Sequence, residues 1–186
     1  MKHDCPICSA PLKTAHIDKA LPAHRCLRGH GLWLSADEYF AWNNAHVTTH
    51  DLEPDQKFEL PYPISDNNKA LTCPDCRRFL RRYQVWPNAT FYLDRCSHCY
   101  GVWFDENEWQ TLEAQDLHKK LHLFFSDQWQ EILQSTEMKK RFKQMYLDRF
   151  GEVDYEKIKQ LREWFHTHPQ GFSLLAYVTD KDPYSG

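Results

Sequence analysis

Glycine is scarce in this sequence, six in 186 residues, about half of what an average chain carries. That leaves little material for a phosphate-cradling loop, and no Gly-rich phosphate motif is present. No nucleophile stands at motif spacing from a base, and no small-molecule substrate is evident. Apolar runs are short. None approaches the roughly 20 residues that a bilayer-spanning helix needs, and the segment MKHDCPICSAPLK has neither the apolar stretch nor the cleavage site of a secretory signal. The expectation is a cytoplasmic protein with no membrane partner. A strong excess of positive charge is also missing: the formal net charge is −3, which argues against a dedicated nucleic-acid binder.

Aromatic side chains, in contrast, are plentiful. Seven Trp, nine Tyr and eleven Phe exclude a disordered chain and imply packed cores or adhesive surfaces. Charge is unevenly spread. Residues 1–34 carry five Lys/Arg against two Asp, residues 73–99 carry five Arg against two Asp, and residues 35–72 carry seven Asp/Glu against two Lys. The seven cysteines, an odd number, fall as CPIC, a single Cys26, CPDC and CSHC. Such pairs are metal-ligand knuckles rather than a disulfide framework.

These cysteines belong to an internal repeat. CPICSAPL (5–12) aligns with CPDCRRFL (73–80), and RCLRGHGLWLSADEY (25–39) aligns with RCSHCYGVWFDENEW (95–109). Two CxxC knuckles facing each other complete a tetrahedron of sulfur at about 2.3 Å from a zinc ion. Cys73, Cys76, Cys96 and Cys99 therefore make one expected site, although iron in a rubredoxin-like centre uses the same four thiolates. In the other repeat Gly29 occupies the position of Cys99, so Cys5, Cys8 and Cys26 need a fourth ligand. His30 is the first candidate, with His24 and a metal-free degenerate ribbon as alternatives. Two Zn2+ per chain are expected.

The run CPxC, then about twenty residues, then CxxCxGxWxDxxE resembles the transcription factor IIB-type zinc-finger family. Cys73, Pro74, Cys76, Cys96, Cys99, Gly101, Trp103, Asp105 and Glu108 match it position by position, and residues 5–38 resemble a variant with Gly29, His30 and Gly31 in place of CxG. The resemblance implies zinc binding, a ribbon fold and His30 as a ligand. Its transcription label comes with the family.

Each repeat ends in a capping-box pattern, Ser35 to Glu38 and Asp105 to Glu108, which predicts a short helix after each ribbon. A linker with Pro54, Pro61 and Pro63 separates the two. Beyond it, Trp109, Leu112, Leu117 and Leu121 recur at helical spacing, Ser126 or Asp127 can cap a further helix, Gly151 can end it, and Asp154 opens another. The expected class is α+β. Residues 1–46 form one ribbon with its helix, 47–71 an acidic linker, 72–111 the second ribbon, and 112–186 an α-helical region.

Two further patterns compete for function. Arg77, Arg78, Arg81 and Arg82, interleaved with Phe79, Tyr83 and Trp86, could contact nucleic acid, or form one hydrated hairpin face. His166-Thr167-His168-Pro169 resembles the HxHP element of JAMM-type metalloproteases. Where that element carries Ser and Asp, this chain has Ala176 and Thr179, and a helix stopped by Pro169 is the competing reading. His118 and His122 read as a surface pair. The expectation is a zinc-binding interaction module for protein or nucleic acid, transcription-related and not an enzyme, with a zinc-dependent hydrolase as the alternative.

Overall fold

The structure, a computed structural model, describes residues 3–18, 20–45, 52, 57–64, 66–87, 89 and 91–184. The chain divides into two compact units, Met1–Thr136 and Glu137–Gly186.

In the first unit, β1 (Lys13–Asp18), β2 (Leu21–Arg25) and β3 (Gly31–Leu34) form one antiparallel ribbon, and β4 (Leu80–Gln84), β5 (Tyr92–Cys96) and β6 (Val102–Asp105) form the other. The ribbons are not separate beads. They join edge to edge in a six-stranded sheet of order β1-β2-β3-β6-β5-β4. β3 and β6 are antiparallel, with Leu32 opposite Phe104, Trp33 opposite Trp103 and Leu34 opposite Val102. Trp33 and Trp103 are equivalent positions of the repeat, so a local two-fold axis passes between them. A lone three-stranded ribbon would leave β3 and β6 as apolar edges, and pairing satisfies both ladders.

Alternation along these strands sorts the side chains to two faces. Leu32, Leu34, Val102 and Phe104 face a large core with Leu21, Ala23, Tyr39, Trp42, Phe91, Leu93, Trp109 and Leu112. Trp33 and Trp103 point to the opposite face, into a second cluster with Cys5, Cys26, Cys73, Cys96, Leu12, Leu71 and Leu80.

Helix α1 (Ala36–Asn43) starts where expected: Ser35 Oγ accepts from Glu38 N–H at 3.3 Å and donates to the Glu38 carboxylate at 2.7 Å. The second box is only half made. Glu108 Oε2 accepts from Asp105 N–H at 2.8 Å, but α2 (Glu108–Glu113) has Asn107 at its N-cap, with φ 69° and no side-chain cap. Asp105 is diverted to other donors, described below.

A 3-10 turn (His118–Lys120), α3 (Leu121–Phe124) and the start of α4 (Asp127–Phe150) complete the large core. Ser126 Oγ accepts from Trp129 N–H at 3.2 Å, capping α4. Trp129 Nε1 donates to Val85 O at 3.0 Å and Leu121 N–H to the Tyr39 hydroxyl at 3.1 Å, tying these helices to both ribbons. Where the sequence pattern assigns 112–136 to a helical region, this stretch packs as part of the ribbon unit. The described part of the linker is likewise no free spacer: Phe58 stacks on Trp86 at 5.7 Å, Asn107 Nδ2 donates to Pro63 O at 2.8 Å, and Gln115 bonds the Glu59 backbone at both ends. Pro54 lies outside the described residues.

The second unit holds the remainder of α4, α5 (Glu152–Thr167) and α6 (Gly171–Thr179). α4 stops before Gly151 and α5 before His168 and Pro169, as the sequence pattern expects. No residue of α5 or α6 is buried. Among the described residues, no helix is long and apolar enough to cross a membrane.

Candidate metal centres

Each ribbon brings its ligand side chains together from two knuckles. In the second, Cys73 N–H bonds Arg78 O at 2.7 Å and Arg77 N–H bonds Cys73 O at 3.0 Å, while across the site Cys96 N–H bonds Gly101 O at 2.9 Å and Tyr100 N–H bonds Cys96 O at 3.1 Å. The turns close through left-handed Arg77 (φ 63°) and Tyr100 (φ 62°). Backbone N–H groups point at the sulfurs, from Cys76 to Cys73 Sγ at 3.4 Å and from His98 and Cys99 to Cys96 Sγ at 3.4 and 3.5 Å. Cys73 Sγ lies 3.4 Å from Cys99 Sγ, and Cys76 Sγ 3.5 Å from Cys96 Sγ. These separations are far beyond a disulfide bond of about 2.05 Å. They are near the ~3.8 Å edge of a sulfur tetrahedron around zinc at about 2.3 Å.

The first knuckle of the other repeat copies this design, with Cys5 N–H to Ala10 O and Ser9 N–H to Cys5 O, both at 2.8 Å. Its second knuckle turns one residue earlier. Gly29 N–H bonds Cys26 O at 3.1 Å, and Gly29, not the residue after it, takes the left-handed conformation at φ +80°. A cysteine at position 29 would have to adopt that strained backbone. The next residue, His30, reaches in with its longer side chain, placing Nδ1 3.4 Å from Cys26 Sγ and 3.8 Å from Cys5 Sγ; Cys8 Sγ lies 3.7 Å from Cys26 Sγ. The structure thus brings Cys5, Cys8, Cys26 and His30 together as one possible ligand set, and Cys73, Cys76, Cys96 and Cys99 as another. His24 lies apart, stacked on His3 at 4.2 Å.

The thiols are electrostatically divided. Burial pushes Cys5 up to about 12 and Cys99 to about 11, and raises Cys73 as well. The Ala10 backbone N–H brings Cys8 down to about 6. At Cys96 burial is outweighed by the N–H groups of Cys99 and His98, which lower it to about 7. A divalent metal entering either cluster must therefore displace protons, since the thiolate is the ligand. Both donor sets fit zinc: four thiolates, or three thiolates with one imidazole, are closed tetrahedral structural sets with no position left for substrate.

Asp75, inside the second CxxC, links the two centres. Its Oδ1 accepts from Trp33 Nε1 at 3.1 Å and lies 2.7 Å from His3 Nδ1. Sequence reasoning missed this contact, whose one visible signal is an acid between two metal-binding cysteines.

The arginine cluster is partly committed elsewhere. Arg77 pairs with Asp4 at 2.6 Å, and Arg82 pairs with Asp66, donates to Asn68 Oδ1 at 2.9 Å and lies over the Tyr92 ring. Arg78 and Arg81 are exposed, with Arg81 over the Tyr83 ring at 5.0 Å. In the second unit His168 Nδ1 accepts from Gln170 N–H at 3.0 Å, and among the described residues neither His166 nor His168 joins a group able to hold a metal. His118 is no surface residue: it is 7% exposed, and its ring lies 5.5 Å from those of both Trp42 and Trp109.

No curated protein and no solved structure matches the chain. A family model does: residues 72–115, the second ribbon with its knuckles and following helix, match the transcription factor zinc-finger family, the transcription factor IIB-type zinc ribbon.

Proposed function

We propose that this protein carries two structural Zn2+ ions, one on Cys5, Cys8, Cys26 and His30 and one on Cys73, Cys76, Cys96 and Cys99, and uses the sheet they stabilise as the rigid part of an interaction module. The observation that carries this reading is closure. In each cluster four candidate ligand atoms lie within 4.8 Å of one another, enough to occupy all four positions of a tetrahedral zinc, whereas a catalytic zinc keeps a position open. A protein partner fits better than nucleic acid. Two of the four clustered arginines are held in ion pairs, whereas the second unit exposes Phe172 at 89%, Val153 at 70% and Trp164 at 47%. Phe172 lines one groove of that unit with Ile158, Leu161, Phe165 and Leu175, and exposed apolar surface of this kind marks contact sites. The description of the matched family supports a role connected with transcription, and the commitment of all seven cysteines to metal sets supports a cytoplasmic setting.

The test is metal content per chain on the wild type and on His30→Ala. Two zincs falling to one supports the assignment. Two persisting in His30→Ala refutes it for the first centre, and a third zinc lost on His166→Ala would favour the hydrolase reading instead. The partner class is read by comparing Phe172→Ser/Leu175→Ser with Arg78→Glu/Arg81→Glu. Loss of captured protein only in the first supports a protein contact. Nucleic-acid affinity that falls steeply with salt and is lost only in the second overturns it.

A further inference from the structure

Away from both cysteine clusters, a group of carboxylates converges where the linker crosses the second ribbon. Asp94, Asp105 and Glu108 are 2%, 4% and 1% exposed, and the Asp66 side chain is 13% exposed. One oxygen each from Asp66, Asp105 and Glu108 lies within 4.8 Å of the others. Much of the group is rigidly held. Asp105 Oδ1 accepts from Trp103 Nε1 at 2.7 Å, Asp105 Oδ2 from Asn67 N–H at 2.7 Å, Glu108 Oε2 from Asp105 N–H at 2.8 Å, and Asp66 Oδ2 from Arg82. Two oxygens are left over. Glu108 Oε1 and Asp66 Oδ1 are cut off from solvent without a well-formed hydrogen bond, although the Tyr92 backbone N–H acts on the Asp66 carboxylate.

The charges do not balance. Among the described residues Arg82 is the cation that acts on Asp66, Asp94 and Asp105 alike, and the Glu108 carboxylate lies beside these three acids. Burying an uncompensated carboxylate costs several kcal/mol. A proton on Glu108 would relieve part of this, and burial with Asp105 nearby does raise that group well above its usual range. One proton still leaves Asp66, Asp94 and Asp105 against the single guanidinium that acts on all three. The unpaired buried donors Arg82 Nε and Thr111 Oγ1, the latter three residues along α2 from Glu108, make no hydrogen bond to either orphan oxygen. Ligand oxygens all within 4.8 Å of one another are close enough for a single cation to touch all three, and carboxylate oxygens bind Ca2+ at about 2.3–2.6 Å.

We propose that Asp66, Asp105 and Glu108 form a third cation site, selective for a hard divalent ion of the Ca2+ or Mn2+ type. Its ligands are all carboxylate oxygens, a set that suits hard cations and not the thiophilic metal of the ribbons. Glu108 contributes a buried carboxylate with one oxygen still unpartnered, Asp105 comes from the end of β6 and Asp66 from the linker, and water would complete the shell. Occupancy would fasten residues 66–68, already bonded to β4 and β6 through Arg82 and Asp105, to the end of the second ribbon.

The experiment is a Tb3+ titration of the full, zinc-loaded chain, reading emission sensitised through Trp103, whose indole N–H is bonded to Asp105. We expect one saturable site per chain, competed by Ca2+, and weakened at least tenfold by Asp66→Asn and by Glu108→Gln while zinc content stays at the wild-type value. If Glu108→Gln fails to fold, Asp66→Asn decides alone, since Asp66 lies outside the core and both zinc sets. Absence of a saturable site overturns the proposal, as does emission unchanged in the variants, which would mean adventitious binding to surface carboxylates.

Discussion

Replacing Gly101 by alanine tests whether the two ribbons are mechanically one body. A Cβ at this position would sit 2.3 Å from Trp33 Cζ2, 2.8 Å from Cη2 and 3.0 Å from Cε2. Gly101 belongs to the second knuckle of the second ribbon and Trp33 to β3, the strand of the first ribbon at the join, so the clash lies across the join. The indole cannot step aside cheaply. It is fully buried, and its Nε1 bond to Asp75 at 3.1 Å holds it in plane. Overpacking of this kind costs about 1–3 kcal/mol, and breaking the indole bond leaves buried polar atoms at roughly 1–3 kcal/mol more. A total of about 3 kcal/mol should lower the melting point by roughly 10 °C in a unit of this size. The assay is thermal unfolding by circular dichroism with simultaneous zinc release to a colorimetric chelator. Both metals should leave in a single transition at the lower temperature. In a Trp33→Phe background the same alanine should cost less than about 1 kcal/mol, because the outer ring of the indole is gone. Release of only the second ribbon's zinc, or additivity of the two changes, would refute the interlocked join.

Two other perturbations probe the unit's energetics. Cys99→Ser removes a ligand of the second centre. Structural zinc in ribbon-sized units supplies roughly 10–16 kcal/mol against a total domain stability of about 5–15 kcal/mol, so far-UV circular dichroism should show the shared sheet lost, and full zinc content with unchanged melting would contradict this. Asp94→Asn should stabilise the protein when calcium is absent. Burial raises Asp94 from 3.8 to about 7, so the native state favours its protonated form; that contribution is complete below pH ~4 and is lost as pH rises through about 7. The gain over wild type should therefore be larger at pH 8 than at pH 6, by about 1 kcal/mol, in melts at the two pH values. An equal gain at both would show that Asp94 does not titrate in this range.

How much of this was legible in the sequence depended on how local the signal was. The knuckles, the helix caps at Ser35 and Ser126 and the stops at Gly151 and Pro169 are set by residues a few positions apart, and the sequence pattern marks them. The joining of β3 to β6 is different in kind. GLWL and GVWF advertise buried strands, but a four-residue strand with apolar residues on both faces says only that something covers it, not that its own repeat does. The same gap explains Asp105. As a capping residue it has the right spacing, yet Trp103 Nε1 and Asn67 N–H compete for its oxygens in three dimensions and win. His118 reads as polar by type, and only the indoles of Trp42 and Trp109, from two different helices, make its place a core site.

The departures from two-fold symmetry are where the chemistry of the two halves diverges, and they are coupled. Trp33 and Trp103 are equivalent, and each buried indole N–H needs an acceptor. Trp33 finds Asp75 in the facing knuckle. The symmetric acceptor for Trp103 would be Ile7, whose side chain has no oxygen to offer, so Trp103 turns to Asp105 on its own strand at 2.7 Å. At the position matching Asp105 the first ribbon has Ser35, free to cap α1 because Trp33 makes no demand on it. One exchange, an acid in the second knuckle for an apolar residue in the first, thus places Asp105 in the interior beside Glu108, where four carboxylates gather, and leaves the first ribbon with an ordinary capped helix. On this argument Ile7→Asp should offer Trp103 the symmetric acceptor, weaken its bond to Asp105, and alter the cation affinity of the carboxylate group without changing a zinc ligand. A Tb3+ affinity identical to wild type in that variant, with both zincs retained, would mean that Asp105 is held in place by Asn67 and the sheet alone.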